Sequence, residues 1–192
     1  MKKLLSTVAI FLTVSMSANA LIHVEPYLGY KLGSGEDSVA PITEYDFKTT
    51  TLGARLGVTT LGFMGGIDYS LASGDWESTT GSTTTKVDSS QKMFGLFAGY
   101  EFPILLRAWA TYFMDVKQEV KSGANNGDEY KGNGIGLGVG YTGLPFVSLN
   151  LEYRSYSYDE RDNADGSKTT LSGSSAIDNT EYILSVSLPL DL

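Results

Sequence analysis

The 192-residue sequence has no cysteine and a single histidine. The first absence excludes a disulfide framework, a thiolate metal site and a cysteine nucleophile. The second removes most histidine-based metal and acid–base chemistry. Proline is scarce, at 5 residues, so few positions forbid extended, hydrogen-bonded backbone. Charged residues make up 19%, against roughly 25% in an average soluble domain. Positive charge is the scarcer sign: 14 Lys and Arg against 22 Asp and Glu give a net charge of −8. That excludes the basic stripe a nucleic-acid partner requires. Beyond residue 20 there is no run of about 18 apolar residues, so no transmembrane helix is expected there. What the chain does hold is 22 Gly, 12 Tyr, 8 Phe and 2 Trp, too many aromatics for a disordered polymer. Its length suits one domain.

Residues 1–20 read as a cleaved export signal. Lys2 and Lys3 precede a short apolar stretch, Leu4 to Val14, and Ala18-Asn19-Ala20 is a small-x-small cleavage triplet. Cleavage after Ala20 leaves a domain of residues 21–192 and takes the net charge from −8 to −10 by removing the two lysines.

The dominant signal after the leader has period two, the mark of strands with one apolar face. Eight such runs are expected: Leu21–Leu32, Thr51–Val58, Phe63–Leu71, Lys92–Phe102, Leu105–Met114, Gly132–Tyr141, Phe146–Tyr156 and Glu181–Leu190. Connections after the second, fourth and sixth runs are short. Those after the first, third, fifth and seventh are long: about 33–50, 72–91, 115–131 and 157–180. Gly, Ser, Thr, Asp and Asn dominate them, and 79–85 (TTGSTTT) reads as a mobile, low-complexity tip. Short turns at one end and long loops at the other are what an antiparallel up-and-down transmembrane β-barrel shows.

Alternation alone does not say which face is wet. The apolar set carries aromatics at both ends: Tyr30, Tyr69, Tyr112, Tyr153 and Tyr182 near the long-loop end, and Phe63, Tyr100, Phe102, Tyr141 and Phe146 near the short-turn end. Two aromatic girdles flanking an uncharged apolar band fit lipid outside and a polar interior, rather than a lipocalin-like ligand cavity.

The stretches His23 to Tyr30 (HVEPYLGY), Phe94 to Glu101 (FGLFAGYE) and Leu149 to Arg154 (LNLEYR) resemble the small eight-stranded outer-membrane barrel family typified by the OmpA transmembrane domain and OmpX. The resemblance covers essentially all of 22–192. It implies a monomer in the outer membrane of a Gram-negative bacterium. The implied partners are outer-membrane lipids, lipopolysaccharide and the barrel-assembly machinery, with an extracellular partner reached through the loops. No cofactor or metal is implied. Two departures stand out: the last residue is Leu192 where the family usually has an aromatic, and no peptidoglycan-binding domain is expected.

An eight-stranded barrel has a bore just wide enough for side chains to fill. Glu25, Arg55, Asp68, Glu101, Arg107, Glu152 and Arg154 fall on the polar parity and are expected to form a paired lumenal charge network, structural or gating. His23, Lys31 and Glu181 share that parity. Gly132, Gly134, Gly136, Gly138 and Gly140 all point inward, either to make room for bulky neighbours or to line a narrow path. His23 falls at the wrong end for an outer-leaflet lipid A-modifying site, so no enzyme is expected. The acidic run 159–166 does not match a calcium-binding loop, since an EF-hand would need Asp or Asn at Arg161 and Gly at Ala164. The expected role is structural or surface contact (envelope integrity, adhesion, recognition), with a narrow pore for water, ions or small solutes as the alternative.

Overall fold

The computed structural model describes residues 20–36, 43–171 and 175–192. The leader, up to residue 19, lies outside the described residues, as does Asp37 of the first expected loop. Ten strands follow in order: β1 (Leu21–Glu36), β2 (Thr43–Thr60), β3 (Phe63–Thr80), β4 (Thr83–Phe102), β5 (Leu106–Val120), β6 (Glu129–Tyr141), β7 (Ser148–Asp162), β8 (Lys168–Thr170), β9 (Ile177–Ser187) and β10 (Leu190–Asp191). β1 to β7 pair antiparallel with their neighbours in sequence, and β9 pairs with both β7 and β1. Eight strands therefore close a ring, which leaves no open edge around the barrel wall. β8 is a short addition to β7, and β10 resumes the pairing with β1 beyond Pro189, whose ring nitrogen cannot donate.

The strands run well past the expected ends. β4 has 20 residues and β2 and β3 have 18 each, where about 9–11 cross a bilayer. Residues 72–91 are thus not a loop but a hairpin with a two-residue turn at Gly81-Ser82. The threonine-rich segment 79–85, read as a low-complexity tip, forms strand on both sides of it, with the Thr79 and Thr84 hydroxyls 3.0 Å apart. The other connections shrink as well, 115–131 to 121–128 and 157–180 to 163–167 and 171–176.

The reason lies in how each face is used along one strand. Between the girdles, β2 turns Leu52, Leu56 and Val58 outward and Thr51 and Arg55 inward. Farther up, the same outward parity carries Glu44, Asp46 and Lys48, and the inward parity carries Tyr45 and Phe47, which pack on the core. Apolar side chains face out in the band and face in above it. A bulge at Met114-Asp115, opposite Asn133, adds a second shift: the inward set of β5 passes from Arg107, Trp109, Thr111 and Phe113 to Val116, Gln118 and Val120.

The girdle residues lie on the outward face. Tyr30, Tyr69, Tyr112 and Tyr182 are exposed, and Tyr153 packs on Tyr182 with ring centroids 5.3 Å apart. At the opposite end Tyr100 sits between Phe63 and Phe102, edge to face at 4.8 and 5.1 Å. Tyr141 is outward at the end of β6, whereas Phe146 is in the 142–147 connection rather than on β7.

Candidate functional site

The bore is filled in three tiers. The lowest follows from inward parity on five strands. Glu25 (β1), Arg55 (β2), Asp68 (β3), Arg107 (β5), and Glu152 and Arg154 (β7) are all buried to 2% exposure or less. Burying any of these charges alone would be prohibitive, so each is paired. Arg55 donates from Nε to Asp68 at 3.1 Å, from Nη2 to Glu152 at 2.8 Å and from Nη1 to Glu25 at 3.4 Å. Glu25 also accepts from Arg107, whose Nη2 reaches Asn150 at 2.8 Å and Ser187 at 3.0 Å. Arg154 donates to Glu152 at 2.7 Å, to the Ser70 hydroxyl at 3.0 Å and to the Tyr27 hydroxyl at 3.2 Å. Tyr27 in turn donates to Asp68 at 2.9 Å. Three guanidinium groups thus meet three carboxylates across the bore. Trp109 fills the space between, 4.2 Å under the Arg55 guanidinium and 5.3 Å from that of Arg107.

Glu101 departs from the expectation. It lies opposite Arg107 in the β4–β5 register but is only half-buried at the rim, and no ion pair reaches it among the described residues. Arg107 turns instead toward Glu25, which is fully buried and has most to gain from a counter-charge. His23 sits at the same end with both ring nitrogens on carboxylates, Asp191 at 2.9 Å and Glu25 at 3.3 Å.

The middle tier is a smaller polar cluster. Glu181 Oε1 accepts from Lys31 at 3.0 Å, from Gln91 at 3.1 Å and from the Tyr156 hydroxyl. Gln91 also bridges to Tyr156 at 2.8 Å and to Tyr158 at 3.4 Å. Gln91 was hidden within what reads as a loop. Tyr27, Ser70 and Asn150 carried the inward parity, but parity does not say which uncharged neighbours complete an ion network.

The top tier is apolar: Trp76, Met93, Phe113, Val116, Val120, Tyr130, Tyr156, Tyr158 and Ile177 form one buried cluster. It stands where the sheet rises past the long-loop girdle. Arg161, 5.4 Å over the Tyr130 ring, donates to Asp128 and so ties the 121–128 connection to β7. In the acidic run, Asp162 pairs with Lys131 and Lys168, while Asp165 accepts from the backbone and hydroxyl of Ser167 at 2.8 and 2.6 Å. Glu160, Asp162 and Asp165 are thus each engaged by protein partners.

The glycine row on β6 makes room. A Cβ at Gly138 would collide with the Trp109 ring, one at Gly134 with Tyr156, and one at Gly136 would lie 3.0 Å from Phe113. Gly138→Ala should therefore destabilise the barrel by about 1–3 kcal/mol through overpacking, read as a lower urea midpoint. An unchanged midpoint would mean that the wall borders open space.

No protein-family model matches the chain, and no curated protein sequence matches it. Solved structures do. Neisserial surface protein A aligns with a TM-score of 0.53 at 14% identity, covering 88% of this chain and 98% of that one. Ail, the attachment invasion locus protein of Yersinia pestis, solved in complex with the heparin analogue sucrose octasulfate, aligns with a TM-score of 0.50 at 10% identity, covering 88% and 99%. Both are eight-stranded outer-membrane barrels. Closed eight-stranded ring, outward apolar band between aromatic girdles and charge-filled bore together make this chain's fold that of the small outer-membrane β-barrels.

Proposed function

We propose that the protein is an outer-membrane surface protein without enzymatic activity, whose barrel holds an ordered extracellular β-structure for envelope integrity or contact. The observation that carries this reading is the filled bore. Ion network, polar cluster and apolar plug succeed one another along its length, so the features open to an outside partner are the extended strands and their connections. Trp109 lies against Gly138 on the one wall that could have bordered a path. The short cleavable leader and the acidic mature chain fit export to that membrane, with lipopolysaccharide around the band. That Ail, by its name an attachment protein, shares the fold supports the reading.

Planar-bilayer recording tests the reading. Purified, refolded wild-type protein should stay at background conductance. Trimming the hairpin beyond the Glu77–Lys86 pair to a two-residue turn, which keeps Trp76 and Val87 of the apolar plug, should weaken surface contact by displaying cells while leaving the barrel folded. Steady, large channels from wild type would overturn the proposal in favour of a pore.

A further inference from the structure

The short-turn end carries a pattern that the filled bore does not explain. Three connections lie there: 61–62, 103–105 and 142–147. Each holds a bulky apolar residue with positive φ: Leu61 at 51°, Leu105 at 61° and Phe146 at 66°. This left-handed region is costly for side chains other than Gly, Asn and Asp, and such strain persists where the surroundings or a function sustain it. Of these three, Leu61 and Phe146 are the most exposed large apolar residues described, at 86% each, and Leu105 is 53% exposed beside Ile104 at 69%. In a water-facing turn, polar residues that adopt this conformation readily would serve better. None of the three connections contains a charged residue.

The turns also form one surface. Glu101 N, at the end of β4 beside the second connection, donates to Gly62 O at 2.8 Å, and Thr142 N of the third connection to Leu105 O of the second at 2.9 Å. Between the first two lies a crevice of about 420 Å³ lined by Leu61, Tyr100, Phe102, Pro103 and Leu105, with Glu101 as its carboxylate. The surface continues without a charged break into the outward band of Phe63, Leu106, Tyr141 and Leu149.

We propose that this rim is a phospholipid-binding surface: Leu61, Ile104, Leu105 and Phe146 insert into the headgroup–acyl boundary of the inner leaflet, and the crevice between the first two turns takes the glycerol–acyl region of one phospholipid. This rests on the membrane-spanning reading above. The continuity with the lipid-facing band and the absence of charge from the three connections themselves select lipid over a soluble partner; Glu101, at the end of β4, is the carboxylate beside them. The barrel is thereby anchored by its turns and not by its girdle alone.

Because the chain lacks cysteine, single-cysteine variants can report depth. Leu61→Cys and Phe146→Cys would be labelled with a thiol-reactive fluorophore, beside Ser82→Cys at the far hairpin tip and Leu137→Cys in mid-band. The labelled proteins would be refolded into phosphatidylethanolamine–phosphatidylglycerol vesicles. Brominated acyl chains should quench the labels at 61 and 146 at least two-fold more than the label at 82, and aqueous iodide should quench them less. Iodide quenching equal to that at 82, with the label at 137 still quenched by bromolipid, would overturn the rim and leave the spanning reading intact, pointing to a soluble apolar partner. Loss of bromolipid quenching at 137 would overturn both. Leu61→Asn gives an independent sign. It creates an Asn-Gly turn suited to positive φ at both positions, so a water-facing turn would gain stability, whereas an inserted one should show a lower urea midpoint in vesicles.

Discussion

Replacing Arg55 by alanine should destabilise the folded barrel by about 3–5 kcal/mol, the cost of leaving buried charge unpaired. Among the described residues, Arg55 is the one side chain bonded to Glu25, Asp68 and Glu152 together. Its removal leaves Glu25 with Arg107 and His23, Glu152 with Arg154, and Asp68 with the Tyr27 hydroxyl, and takes a guanidinium off the Trp109 ring. Arg55→Lys should recover little, because an ammonium cannot reach three carboxylates from a planar fork. Adding Asp68→Asn to Arg55→Ala should recover part of the loss, since it removes one orphaned charge. Urea titration of protein folded in lipid vesicles reads all three. Unchanged stability in Arg55→Ala would mean that water screens the lower bore.

Leu137→Arg and Leu56→Arg should each cost about 2–4 kcal/mol in the same titration, as expected for an arginine at the bilayer midplane on a barrel's outer face. Both leucines point outward between the girdles, 55% and 45% exposed. Leu137 lies between Ala110 and Tyr153 in the register, so there is no neighbouring carboxylate on those strands to receive the new charge. Tolerance of both substitutions would reverse the assignment of inside and outside.

The parity of the lower barrel was legible because bilayer and bore impose opposite demands on alternate residues. Glu25, Arg55, Asp68, Arg107, Glu152 and Arg154 could be placed inside from alternation alone. What alternation could not show was a strand whose outer environment changes halfway. Past the upper girdle, water replaces lipid and the apolar cluster replaces the ion network. Tyr45 and Phe47 then take the parity that Arg55 has lower down, and Asp46 takes that of Leu56. Read as a hydrophobic pattern, that exchange is a one-residue phase slip, which looks like the end of a strand. The same slip hid Gln91 and Trp76 inside an apparent loop. On β5 the bulge at Met114-Asp115 broke the phase in the backbone itself. Glu101 failed for a different reason: parity places a residue on the inner face but says nothing of its height, and at the rim an unpaired carboxylate costs little.

Two pairings of the charge network join strands far apart in sequence. Arg55 and Glu152 are 97 residues apart, and Glu25 and Arg107 are 82. Neighbouring strands can zip in sequence order, but these contacts cross the bore and exist only after the sheet has curled and β9 has met β1. Interactions absent until closure contribute little to the speed of folding and fall almost wholly on the rate of unfolding. The lower network should therefore act as a kinetic lock: once the ring has shut, opening any seam requires giving up charge pairs on several strands at once.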